Sequence, residues 1–149
     1  MLKTLQVVYL EQLLITESEV WNMAFSNANY NDYLINNSLL VPSEGIWTQT
    51  IDTTHDMRIA IQLDSTVNNA DNPPENPTQN FQVSLYNIAY LDTQDTTPVL
   101  TKSLSVTGDH AIGTVWFDTI GFSKVRLQII NNNQFGVYLT VKLTEAKLE

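Results

Sequence analysis

The chain is 149 residues long, the length of one domain, and at that size burial of about 68–70% of the unfolded surface lets it fold without a metal or disulfide staple. Charged residues make up 15% of it, and 16 acidic against 7 basic side chains leave a formal net charge of −9. That balance argues against a globular duplex-DNA or RNA binder, which draws its affinity from Lys and Arg on phosphates; with no cysteine, disulfide scaffolds, thiolate zinc sites, iron–sulfur clusters and cysteine nucleophiles are excluded together.

The opening segment MLKTLQVVYLEQLLI is apolar, but Gln6, Glu11 and Gln12 interrupt it and no small-x-small cleavage site follows. The expectation is therefore synthesis in a cytoplasm without a signal peptide. No run reaches the roughly 18 uninterrupted apolar residues of a spanning helix, so no membrane is expected either. Leu5, Val7 and Tyr9 alternate and Leu13-Leu14-Ile15 follow, enough for one or two strands. Thr16 and Glu19 have capping-box spacing, and Val20, Trp21, Met23, Ala24 and Phe25 after them predict one short helix. Between 26 and 38, Asn27, Asn29, Asn31, Asn36 and Asn37 surround Tyr30 and Tyr33. That composition predicts an irregular polar segment with aromatic anchors. Residues 1–45 are thus read as an N-terminal arm and 46–147 as the main domain.

Within that domain Met57, Ile59, Ile61 and Leu63 alternate with Arg58, Gln62 and Asp64, the pattern of a half-buried strand. A long loop follows at 67–80, where Pro73, Pro74 and Pro77 among Asn residues forbid regular structure. A loop of that length is either mobile or ordered by a partner. Phe81, Val83 and Leu85 then point one way and Tyr86, Ile88 and Tyr90 the other. Such a parity switch predicts a bulge or a strand buried on both faces. Leu100, Leu104 and Val106 mark a weaker strand, and Thr107-Gly108-Asp109-His110 supplies a turn before 112–117. Finally Val125, Leu127 and Ile129, an Asn-rich loop at 131–136, and Val137, Leu139, Val141 and Leu143 read as a β-hairpin with one wet and one core face. Many short antiparallel strands with little helix predict an all-β, jelly-roll-like β-sandwich carrying the arm.

Catalytic signals are sparse. His55 and His110 each stand beside an aspartate (Asp56 and Asp109), yet adjacency in sequence does not make the side-chain contact that base catalysis needs. Both are expected in turns at strand ends. No Gly-x-Ser-x-Gly, P-loop or His-Glu-x-x-His pattern occurs. The loop carboxylates Asp71, Glu75, Asp92 and Asp95 offer calcium ligands in principle but follow no EF-hand order. They read as solvated loop charges. No catalytic residue, cofactor or metal ligand is expected.

Aromatic residues are the sharper signal. Trp47 and Trp116 fall within strands and are expected to point into the core, where an indole buries a large apolar area. Tyr30 and Tyr33 in polar surroundings, and Tyr138 on the wet face of the last strand, are better suited to a contact surface. Leu5, Val7 and Tyr9 of the arm have the alternation needed to add to a neighbour's sheet edge. These six residues are the candidate interaction set.

In composition and patterning the chain resembles small β-sandwich accessory proteins of tailed-phage particles, such as capsid decoration proteins. The resemblance is one of type, carried by no specific motif. It implies a non-enzymatic structural or assembly protein, located in the virion, associating with itself and with a capsid or other shell protein. Loops 67–80 and 131–136 would then face outward or toward the shell. The alternative is a carbohydrate-binding β-sandwich module that uses its aromatic and amide side chains on a glycan.

Overall fold

Alternation of apolar and polar residues resolves into eight strands in the structure, a computed structural model that describes residues 28–148: β1 (Ala28–Val41), β2 (Ile46–Asp52), β3 (Asp56–Val67), β4 (Thr78–Asn87), β5 (Leu100–Thr107), β6 (His110–Asp118), β7 (Lys124–Asn131) and β8 (Val137–Leu148). They form two antiparallel four-stranded sheets, ordered β1-β8-β3-β6 and β2-β7-β4-β5. Every connection except β4–β5 passes from one sheet to the other. This is the jelly-roll sandwich that the patterning predicts. Leu5, Val7 and Tyr9, and the short helix expected before residue 26, lie outside the described residues.

One parity of each strand builds the core. Ile59, Ile61 and Leu63 of β3 and Leu139, Val141 and Leu143 of β8 face Phe81, Val83 and Leu85 of β4 and Val125, Leu127 and Ile129 of β7, all buried. Phe117 of β6 and Ile51 of β2 close the two sides. On the β5–β6 side the sheets approach so closely that a Cβ at Gly113 would stand 2.8 Å from both terminal carbons of Leu104. A side chain at that position would collide with β5.

Four expectations are corrected. The segment at 26–38 is not irregular where it is described: from residue 28 it forms β1, paired with β8, so the arm boundary at 45 falls beyond a strand of the first sheet. Asn36 and Asn37 sit at register shifts, where Asn36 Nδ2 donates to Leu139 O at 3.0 Å and Ser38, with φ of 50°, donates its N–H to Thr140 Oγ1 at 3.0 Å. An outer strand tolerates such shifts because only one of its sides must stay in register. In the second case no bulge interrupts β4, but the other reading holds in its middle, where Ser84 is buried on the face opposite Val83 and Leu85; the strand ends at Asn87, and buried Ile88 lies beyond it with its N–H on Lys124 O.

The third correction concerns 124–143, which is no hairpin. β7 pairs with β2 and β4, β8 pairs with β1 and β3, and the link between them arches from sheet to sheet. A wet face and a core face alternate equally well in both arrangements, so periodicity does not distinguish them. In the fourth case the long loop is tied by its own chain. Asn68 N–H donates to Gly136 O (2.8 Å), Asp71 Oδ2 accepts from Gly136 N–H (2.7 Å), and Pro77 O accepts from Gly108 N–H (2.8 Å). Ser65 and Gln79 add a buried bridge between the sheets, Oγ to Oε1 at 2.6 Å, with Gln79 Nε2 on Gly108 O.

Candidate functional site

β1 and β2 are consecutive in the chain and are the outer strands of opposite sheets on the same side of the sandwich. The Pro42–Gly45 turn joins them at one end. Within β1, Asp32 is the one charged residue, and there is no Lys or Pro, the devices that usually protect a free sheet edge. Apolar side chains are exposed along it instead: Tyr30 62%, Leu34 57% and Leu40 45%. Leu40 pairs with Tyr138 of β8, itself 40% exposed, and register places these residues on the outer face of the sheet. Tyr33 and Leu39 pair with inward-facing Leu143 and Leu139 and so stand at the mouth of the sandwich. Ile46 is also exposed, but on the outer face of the opposite sheet. Of the six residues expected to make contacts, the structure brings Tyr30, Tyr33 and Tyr138 to one sheet margin.

Below that strip a cleft of about 520 Å³ opens between the two outer strands. Ile35, Ile51 and Leu143 line it with apolar surface, and Gln49, Asp52, His55, Glu145 and Lys147 with polar groups. Glu145 continues the inward parity of β8, and Asp56 is turned inward by a register shift at the start of β3. Both are buried. Lys147 Nζ lies 3.1 Å from Glu145 Oε2 and 3.6 Å from Asp56 Oδ1. Burial, and next the charge of Glu145, push the Asp56 carboxyl up to about 6 against the opposing pull of Lys147. Contact with Glu145 holds the Lys147 ammonium above its usual range. Asp52, at the rim, is held below the usual carboxylate range because Thr54 donates both its hydroxyl and its N–H to Oδ1. A buried carboxylate pair was not among the sequence candidates, although a charge at the inward parity of β8 is the signal that could have found Glu145.

Elsewhere the candidates are placed singly. Trp47 packs partly buried against the core, as expected, but Trp116 does not point inward. It occupies the outward parity of β6 between inward Val115 and Phe117 and is 46% exposed. Arg58 Cζ and Lys102 Nζ lie over its ring, 3.9 and 4.2 Å from the centroid, and Lys102 also donates to the Trp116 carbonyl. Each such cation contributes about 0.5–1 kcal/mol at an exposed site. His110 opens β6 and contacts Asp64 Oδ1 at 2.7 Å, not its sequence neighbour Asp109. His55 is exposed in the β2–β3 turn, at the opposite end of the sandwich. Among the loop carboxylates, Asp92 pairs with Lys124 at 2.8 Å and Asp95 accepts from Asn87 Nδ2 at 3.3 Å. No three His, Asp or Glu side chains among the described residues come together to hold a metal ion. Among the same residues no helix is long and apolar enough to cross a membrane.

No protein-family model matches the chain, and no curated protein matches it. Solved structures do. The SPBc2 prophage-derived protein YomS is 14% identical over 80% of this chain and 95% of its own, with a TM-score of 0.44. A CBM4 structure is 11% identical over 79% of this chain and 71% of its own, with a TM-score of 0.42. The PBSX exported protein XepA is 7% identical over 80% of this chain and 37% of its own, with a TM-score of 0.51. What XepA shares with this chain is the fold.

Proposed function

We propose that this protein is a non-enzymatic structural or assembly protein, an accessory component of a phage-like particle that acts through protein–protein contacts, with a second copy of itself as its first partner. The observation that carries the reading is the set of exposed apolar side chains on the outer strand β1: Tyr30, Leu34 and Leu40, the last with Tyr138 beside it. A strand that is outermost among the described strands and carries exposed apolar side chains is a template for strand addition. The net charge of −9 keeps the separate subunit soluble until that strip is covered. A capsid or other shell protein is the second partner in this reading.

Light scattering behind size-exclusion chromatography, over a concentration series, tests it. The expected result is an oligomer that persists on dilution. The double change Leu34→Asp and Leu40→Asp should raise its dissociation constant by about 100-fold or more, because carboxylates would be buried against apolar surface. A wild-type chain that is monomeric at every concentration, alone and with particles, would remove the reading.

A carbohydrate-binding module is the second reading, favoured by one feature of the outer face. Asp32, Thr144, Ala60 and Trp116 form a row across all four strands of the sheet. Beside it lies a hollow of about 470 Å³ lined by Asp32, Tyr33, Leu34, Gln62, Lys142 and Thr144. Hydroxyl, amide and carboxylate groups over a small floor residue suit a sugar ring. Saturable quenching of Trp116 fluorescence by an oligosaccharide would support this reading; no response across a glycan panel would count against it.

A further inference from the structure

We infer that Lys147 and Asp56 are the two ends of a covalent cross-link, an amide bond from the lysine Nζ to the aspartate Cγ, formed in the folded chain with Glu145 as the proton carrier. The inference is independent of the assembly reading. Its first support is placement. Asp56 at the start of β3 stands opposite Lys147 at the end of β8 in the strand register, so pairing of the two strands delivers the amine to the carboxyl. Nζ lies 3.6 Å from Asp56 Oδ1, close to the roughly 3–3.5 Å at which oriented groups react. Glu145 Oε2 lies 3.1 Å from the same nitrogen.

The second support is enclosed charge that an ion pair leaves unrelieved. The Asp56 side chain is fully buried, and neither its oxygens nor the buried Glu145 Oε2 meets a donor in hydrogen-bond geometry. Two buried carboxylates face the single Lys147 ammonium. In water the ionised pair is the stable form of an acid and an amine, but burial penalises the ions. A neutral amide removes one carboxylate and the ammonium together, and its N–H would face Glu145. Enclosure also keeps bulk water from the bond once it is made.

The step balances without a co-reactant. Glu145 takes one proton from the Lys147 ammonium and passes it to an Asp56 oxygen, giving a neutral amine and a carboxylic acid. The Nζ lone pair attacks Cγ, and the C–O bond to the protonated oxygen breaks as the C–N bond forms. That oxygen leaves as water with a second proton, relayed from the nitrogen by Glu145. The three protons of the ammonium become one amide N–H and two in water. Burial favours the acid form of Asp56 that the step needs. Lys147 holds its proton above the usual range, so the first transfer is the slow one. The titration of Asp56 belongs to the open pair, and Lys147→Arg, which cannot close, is the parent chain in which to read it.

Mass spectrometry of the full chain, kept folded at neutral pH until its mass stops changing, tests the inference. The expected mass is that of the sequence less one water. Trypsin cannot cut after a joined Lys147, so digestion should release residues 4–58 linked to 143–149. Wild-type chain held unfolded in guanidinium chloride should keep its full mass, as should folded Lys147→Arg. Glu145→Gln should slow the loss about 100-fold or more, the scale of a general acid–base contribution. The wild-type mass and digest decide the matter even where a variant does not fold. Full sequence mass in the folded wild type, a digest without the linked peptides, a water loss that survives in Lys147→Arg, or an unchanged rate in folded Glu145→Gln would each overturn the inference.

Discussion

Replacing Asn131 by alanine is expected to destabilise the protein by about 3–5 kcal/mol, a loss on the scale of truncating a large core side chain. Asn131 is fully buried at the end of β7, where the chain leaves one sheet for the other. Its Nδ2, which carries two hydrogens, lies within hydrogen-bond distance of Val41 O (3.2 Å), Pro42 O (3.0 Å) and Phe135 O (3.0 Å), so one hydrogen is shared between two carbonyls. Its Oδ1 accepts from Asn133 N–H (3.1 Å) and Asn133 Nδ2 (2.5 Å). One amide thus ties the β1–β2 turn to the β7–β8 arch. Alanine would leave three carbonyls and two donors without it, each costing about 1–3 kcal/mol if water does not reach in. Asn131→Leu separates the causes: it fills the space and restores no hydrogen bond, so it should be nearly as damaging. Urea unfolding measures both, and a loss below about 1 kcal/mol in either variant would refute the account.

The second large effect is one of pH. Asp56 has its carboxyl raised to about 6 in the folded protein, against 3.8 for the unperturbed side chain. The folded state therefore holds a proton that the unfolded state has released between those values, and stability falls as pH rises through that window. The full penalty, roughly 2–3 kcal/mol, is present above pH 6 and absent below pH 4. Asp56→Asn should remove it. The variant should match the wild type near pH 4 and exceed it in stability at pH 7. Asp52 and Asp92 are held below their ordinary range and act in the opposite direction, so the quantity to read is the difference between variant and wild type. A difference that does not change between pH 4 and 7 would contradict the burial of Asp56.

How much of this was legible in the sequence depends on which interaction decided each element. Strands whose fate follows from burial of one face were readable: Met57, Ile59, Ile61 and Leu63 in β3, and Val137 to Leu143 in β8, take the predicted parity. Which sheet each strand joins was not. β7 and β8 carry the same alternation whether they pair with each other or with strands far along the chain, and the side chain that selects the arch is Asn131, read only as part of a turn. β1 was hidden for a related reason. On an outer strand, tertiary pairing with β8 overrides the low strand preference of asparagine. The apolar strip was half visible, through Tyr30, Tyr33 and Tyr138, whereas Leu34 and Leu40 acquire meaning only from the register. In the cleft, Glu145 was accessible to parity reasoning, but the inward turn of Asp56 depends on a register shift that composition does not reveal.

The pairing of β1 with β8, from Ala28 opposite Leu148 to Val41 opposite Val137, also governs when the molecule can form. Closing that ladder joins residues from nearly opposite ends of the described chain, and the β2–β7, β3–β8, β3–β6 and β4–β7 pairings also join strands distant in sequence. Contacts this distant in sequence put folding on the slow, millisecond-to-second side of small domains. On a ribosome β1 cannot pair with β8 until β8 has been made. Through that interval the strip later offered to partners is the segment most open to mispairing with another nascent chain, so the edge proposed to build the assembly is also the place where premature assembly would begin.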